Sequence, residues 1–233
     1  WRNDNLTNRY QGVQFGYTSA GRYTSWNDIW NYYGFKERDV LPGDYKYEDW
    51  NGDGEINGQD EHPFAFDQTP WLQFSLNAGL QWKNFDFNML LQGSALGSME
   101  YKEPLHEIWG KNGGGALTQF LDRWHPVDPK ADPYDPSTVW TSGHYAYTGR
   151  WAKNNSAFNR VSTAYLRLKS IELGYTFPKL KQIPNASLRV YANAYNLLTF
   201  TGVKFVDPEH PDDDLGRMYP LNKTYTLGVS LSF

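Results

Sequence analysis

The chain has no cysteine. That excludes a disulfide framework and thiolate chemistry, and it is compatible with a folding route through an oxidising compartment. No stretch approaches eighteen consecutive apolar residues, so no helix crosses a membrane. There is no block of Lys or Arg and the net charge is only −4, so nothing points to nucleic acid or to anionic lipid. Mean hydropathy is low at −0.71. A transmembrane β-barrel tolerates this, because only alternate strand residues face lipid and long loops dilute them further. The chain opens on Trp1 with neither Met nor a secretory signal, and is read as a piece of a longer polypeptide or a processed product.

What is abundant is aromatic. Phe, Trp and Tyr make up 17% of the residues, with ten Trp and seventeen Tyr. Such a load suits the interfacial girdles of a barrel and equally a carbohydrate-binding surface.

Strict alternation is the main structural signal, since successive strand side chains point to opposite faces. In the final segment, Lys223, Tyr225, Leu227, Val229, Leu231 and Phe233 share one face. Thr224, Thr226, Gly228, Ser230 and Ser232 share the other. Residues 72–82 repeat the pattern, with Leu72, Phe74, Leu76, Ala78, Leu80 and Trp82 set against Gln73, Ser75, Asn77, Gly79 and Gln81. Lys83-Asn84 reads as a two-residue hairpin turn, and Phe85, Phe87, Met89 and Leu91 continue the apolar face on the return. A fourth strand falls at about 186–199. The remaining one, about 163–177, changes phase: Leu166 and Leu168 have one parity, Ile171, Leu173, Tyr175 and Phe177 the other. This predicts a β-bulge near Lys169–Ser170. Strands of about 9–11 residues with one apolar face are long enough to span a bilayer.

Alternating the direction of these five strands sorts their links. The turns at 83–84 and 178–185 fall on one side, and segments 1–70, 95–162 and 200–221 on the other. Outer-membrane barrels have this asymmetry, with short periplasmic turns and long outer loops. The predicted fold is therefore all-β, about five C-terminal strands of a large antiparallel transmembrane barrel. Residues 1–70 form an extracellular loop region, and 71–233 carry the strands and their outer loops. Five strands cannot close a barrel, so the rest of the wall must come from other sequence.

Several ordered motifs resemble TonB-dependent transporters of the SusC/RagA type. They are Gly16-Tyr17 with Gly21 to Ser25, Gly43 to Ile56, and Tyr165 to Pro178. Leu188 to Tyr191, Asn196 to Thr199, Asp207-Pro208-Glu209 and Tyr219-Pro220 follow in the family's order. The resemblance runs over nearly the whole chain and is weakest across 98–150. It implies a piece of a plugged barrel of about 22 strands in the bacterial outer membrane. Such a protein imports glycans or peptides, works with a SusD-like surface lipoprotein and takes energy from TonB. The plug domain and TonB box precede the barrel in that family and lie outside this chain.

Asp49 to Asp60 matches a calcium-type loop, D-x-N-x-D-G-x-I-x-x-x-D. Oxygens of Asp49, Asn51 and Asp53, the Glu55 carbonyl and Asp60 could ligate Ca²⁺, with Gly54 at the bend and Ile56 as anchor. Asp in place of the usual Glu at the twelfth position and the lack of flanking helices depart from the pattern. The bland alternative is an Asn/Asp/Gly turn without metal. The cation would pin an outer loop, with no catalysis indicated.

Leu117, Phe120, Leu121 and Trp124 have helical spacing after Gly113-Gly114-Gly115, which predicts a short amphipathic helix packed under a long loop. His62, His106, His125, His144 and His210 show no zinc spacing. Glu103 with Glu107, and Asp212-Asp213-Asp214, read as solvated acidic residues. Trp26, Trp30, Tyr32, Tyr33, Trp109, Trp140, Tyr145, Tyr147 and Trp151 fall in predicted outer loops, to stack on sugar or to pack the loops. The rivals to a non-enzymatic transporter are a secreted calcium-stabilised carbohydrate-binding β-sandwich and a glycoside hydrolase fragment.

Overall fold

In the computed structural model, the described residues are 6–32, 40–102, 105–106, 116–148, 155–178, 186–211 and 216–233. The strands, in chain order, are β1 (Gln14–Gly16), β2 (Ser19–Arg22), β3 (Tyr45–Tyr47), β4 (His62–Ala65), β5 (Leu72–Trp82), β6 (Phe85–Ala95) and β7 (Ser98–Glu100). They continue as β8 (His125–Pro126), β9 (Trp140–Thr141), β10 (Arg160–Ser162), β11 (Tyr165–Phe177), β12 (Ser187–Thr201) and β13 (Thr224–Ser232). One short helix, α1 (Trp26–Asn31), starts at Ser25, whose hydroxyl accepts the Asp28 amide at 3.2 Å.

The chain divides into two compact units. The first is drawn from Trp1–Asp67, Ser98–Val161 and Asp212–Arg217, the second from Gln68–Gly97, Ser162–Pro211 and Met218–Phe233. Nearly all of 1–70 and 95–162, expected as separate outer loops, thus falls in one unit, whereas 200–221 stays mostly with the strands.

The second unit is a single antiparallel sheet in the order β13-β12-β11-β6-β5. Its five strands are those the alternation predicts, each within two residues at either end. Lys83 at the β5–β6 turn has φ of 54°, which the two-residue link requires. The register shifts between Leu168 and Ser170 against both neighbours, so the predicted bulge is present. Its consequence is that both halves of β11 keep their apolar residues on one face.

That face is continuous across the sheet. The rows read Leu80, Phe87, Leu173, Ala192, Leu227 and then Trp82, Phe85, Tyr175, Val190, Val229. It is also uncovered: Leu80 is 64% and Leu227 83% exposed. At the short-link end Phe85 meets Tyr175 edge-on at 4.7 Å, and Tyr175 meets Phe177 at the same separation. Trp82 lies stacked beside Phe85, and Lys83 sits over the Trp82 ring. Aromatic rings thus gather at one end of the apolar band, the arrangement that a membrane-interface girdle would have.

Among the described residues, the first unit contains four two-stranded ladders, β1–β4, β2–β3, β7–β10 and β8–β9. Tyr23, Ile29 and Val40 form its buried cluster, with Trp26 and Tyr32 packed against it. Asp44 is buried but satisfied, accepting from the Leu41 amide and the Thr148 hydroxyl, each at 2.9 Å. Gly43 has φ of 93° and lies against the Trp124 indole, so no Cβ fits there.

The helix predicted from Leu117, Phe120, Leu121 and Trp124 is instead one 3₁₀ turn, Thr118–Leu121. Phe120 is its buried anchor, whereas Leu121 is 79% exposed. The turn ends because the Trp124 amide donates to the Tyr145 carbonyl at 2.8 Å, and Pro126 follows in β8 with no amide to continue a helix. Gly113–Gly115, Glu103, Glu107, Asp212–Asp214, Tyr33, Trp109, Trp151 and most of the 178–185 link lie outside the described residues.

Candidate functional site

Three arrangements of polar side chains stand out, two on the sheet and one in the first unit. On the sheet face opposite the apolar rows, Arg189 of β12 lies between two acids. Its Nε donates to Asp86 Oδ1 at 3.0 Å and its Nη2 to Glu172 Oε1 at 2.6 Å, with Nη2 also reaching Asp86 Oδ2. Asn193 Nδ2 donates to Glu172 Oε2 at 3.4 Å. Gly174 makes room for this: a Cβ there would stand 2.6 Å from both Asp86 oxygens and from the Arg189 Nη2. Gly228 similarly leaves space for the Tyr191 ring, over which Arg189 rests at 4.7 Å. Ions, amides and a ring lying flat on one face give the sheet a polar side, as a lumen wall needs.

The second arrangement joins β11 to the link between β12 and β13. Arg167, with a side chain only 3% exposed, donates through Nε to Thr199 Oγ1 at 2.9 Å and through Nη2 to Asp207 Oδ1 at 2.7 Å. It also pairs with Glu209 at 2.6 Å, and Lys169 Nζ reaches Glu209 at 2.8 Å. The amides of Glu209 and Leu221 donate to Asp207. Burial alone would push the Asp207 carboxyl up, but the Glu209 amide and the Arg167 guanidinium outweigh it and hold it below the usual carboxylate range. No sequence signal links Arg167 to acids forty residues away; the pairing is visible only once the strands are in register.

The third is the loop 49–60. Asp49 accepts the amides of Gly52 and Gly54 at 2.7 and 2.8 Å. Asn51 Oδ1 accepts the Asp53 amide, and Asp53 Oδ1 accepts that of Glu55. Asp60 is fully buried and accepts from Trp50, Asn51 and Asn57 at 3.0, 3.4 and 2.8 Å. Gly52 and Gly54 have φ of 76° and 83°, the left-handed turns that the spacing anticipates. Asp49, Asn51, Asp53 and Asp60 therefore each hold backbone amides of one loop, Asp60 buried and Asn51 and Asp53 exposed. Glu55 is exposed, and among the described residues no three His, Cys, Asp or Glu side chains gather so as to hold a metal ion.

Of the loop aromatics, Trp140 meets Tyr147 edge-on at 5.3 Å and Tyr145 meets Phe120 at 4.5 Å, so these pack the first unit. Trp50 was not among the aromatics singled out by sequence. It stacks on His62 at 3.8 Å with an 11° tilt.

No family model matches the chain. It is 28% identical over 211 residues to TonB-dependent receptor P3 of Formosa agariphila, covering 84% of this chain and 19% of that protein. It is 26% identical over 210 residues to TonB-dependent receptor SusC of Bacteroides thetaiotaomicron, covering 89% and 19%. The chain thus spans about a fifth of the length of the curated relatives it matches. Among solved structures, that of the RagAB peptide transporter aligns with a TM-score of 0.60 at 20% identity, over 95% of this chain and 22% of that one.

Proposed function

We propose that this chain, a stretch of a SusC/RagA-type TonB-dependent transporter, supplies part of the barrel wall through which glycans or peptides enter the cell. Transport is the role, with no chemistry performed on the cargo. The remainder of the barrel and its plug, a SusD-like surface lipoprotein acting as a lid, and TonB as energy source complete the machine. The single observation that carries the reading is the sheet itself. Its apolar rows run unbroken over five strands and are exposed, while the opposite face holds the Arg189–Asp86–Glu172 ions. An apolar face of that extent is unfavourable in water and at home in lipid. A secreted sandwich would cover such a face with a second sheet, yet among the described residues every other ladder has only two strands.

The intact protein should fractionate with the outer membrane, require detergent for extraction and bring a lipoprotein with it. Release into water as a monomer without detergent would sink the reading and revive the sandwich.

The loop 49–60 takes a structural Ca²⁺ in the same reading. Support comes from the spacing and the donor types: Asp49, Asn51, Asp53 and Asp60 lie on one tight loop, and the Glu55 carbonyl completes the pattern. A carboxylate has about four lone-pair sites, so holding an amide does not bar it from a cation. Calcium at a hundredfold excess over its dissociation constant should stabilise the intact, chelator-treated protein by about 2.7 kcal/mol. Calorimetry with and without Ca²⁺ reads this as a raised melting temperature, and Asp53→Ala should abolish the increment. An unchanged melting temperature in the wild type would leave the loop a simple turn.

A further inference from the structure

We propose that Trp50 is a stacking platform for a pyranose ring, a glycan-binding subsite on the first unit. One face of the indole lies on His62 at 3.8 Å and 11°. His62 is itself buried, with Nδ1 3.0 Å from the Asp60 carbonyl. The Trp50 amide is held by the Asp60 carboxylate. The ring is therefore backed and tethered, yet Trp50 remains 56% exposed. An aromatic kept flat and open forgoes burial, and its ordering cost is met before any ligand arrives.

The surroundings select the ligand. The exposed side chains that follow Trp50 on the same loop are Asn51, Asp53, Glu55 and Gln59, all amides or carboxylates. Asn51 Nδ2 donates to Asp53 at 2.9 Å and to Gln59 at 3.4 Å, which ties these planar groups together on the loop that carries the ring. A ligand that suits both features has one flat apolar face and a rim of hydroxyls. A sugar ring has that shape; an apolar peptide side chain would leave the rim unmatched. Trp30 offers a contrast: it is exposed too, but it meets Trp26 at a 38° tilt and 6.0 Å, with no parallel backing.

The inference chooses glycan over peptide and so rests on the importer reading for its biological sense, but the platform is tested separately. The intact detergent-solubilised protein is run on native gels containing starch, laminarin, xylan, α-mannan or pectin. At least one polysaccharide should retard the wild type. Trp50→Ala should bind it roughly tenfold more weakly, and Trp50→Phe should retain most of the affinity. No retardation by any of the five, or equal retardation of Trp50→Ala, overturns the proposal. So does binding of casein peptides that depends on Trp50. Because Trp50 is exposed, the Ala variant should still fractionate with the outer membrane; loss of membrane fractionation by the wild type would instead strike at the importer reading.

Discussion

Replacing Arg167 with methionine will destabilise the protein by about 3 kcal/mol, because it strands two largely buried carboxylates, their side chains 8% and 17% exposed. Asp207 and Glu209 both depend on that guanidinium, and Lys169 reaches only Glu209. Lysine at 167 will not restore the loss, since one ammonium cannot serve Thr199, Asp207 and Glu209 in the plane a guanidinium spans. Removing the acids in the same chain, with Asp207→Asn and Glu209→Gln, should return most of it. No buried carboxylate is then left unpaired, Lys169 keeps its charge at a side chain 29% exposed, and the shortfall from additivity measures the coupling. Urea unfolding of the intact protein in lipid vesicles checks all three. The folded Asp207 carboxyl sits below its unfolded value, so it stabilises above the ordinary carboxylate pKa of about 3.9 and loses that contribution as pH falls through the lower, folded one. In the methionine variant burial acts on Asp207 without the guanidinium to oppose it, so acid should narrow the stability gap to the wild type rather than widen it. A cost under about 1 kcal/mol would mean the acids are solvated rather than locked.

The second large effect separates the two sheet faces. Leu76→Arg places a charge in the middle of the exposed apolar rows, opposite Leu91. In a bilayer that should cost about 2–4 kcal/mol. Ser75→Arg, one residue away on the polar face opposite Gln92, should cost far less. The same urea assay in vesicles reads the difference. Equal costs at the two positions would mean that the Leu76 face does not meet hydrocarbon.

The strands were legible because a period of two is a local property. In β5 and β13 every second residue is apolar without exception, and the change of parity between Leu168 and Ile171 located the bulge. The apparent helical spacing of Leu117, Phe120, Leu121 and Trp124 misled because tertiary partners won. Tyr145 captures the Trp124 amide and only Phe120 is buried. The loop 49–60 showed its turns through Gly52, Gly54 and their neighbouring acids, since side-chain to amide bonds over two or three residues are written in short spacing. The ions at Arg167 and Arg189 were illegible for the opposite reason. Their partners are fixed by strand register and by a distant link, which no window of sequence contains.

The first unit carries its own kinetic consequence. Arg22 bonds the His144 carbonyl, Thr148 bonds Asp44, Tyr17 bonds Asn155, and Gly216 comes up against Leu105. Each of these closes a long stretch of chain, and closure entropy is spent before such contacts repay it. The unit therefore cannot mature as it emerges from synthesis; it must wait for residues from three well-separated stretches. Until then Ile29, Leu41, Met99 and Phe120, all buried at the end, travel as sticky, unpartnered surface. The stitched topology, rather than the more regular strands, is thus what exposes this chain to aggregation before folding.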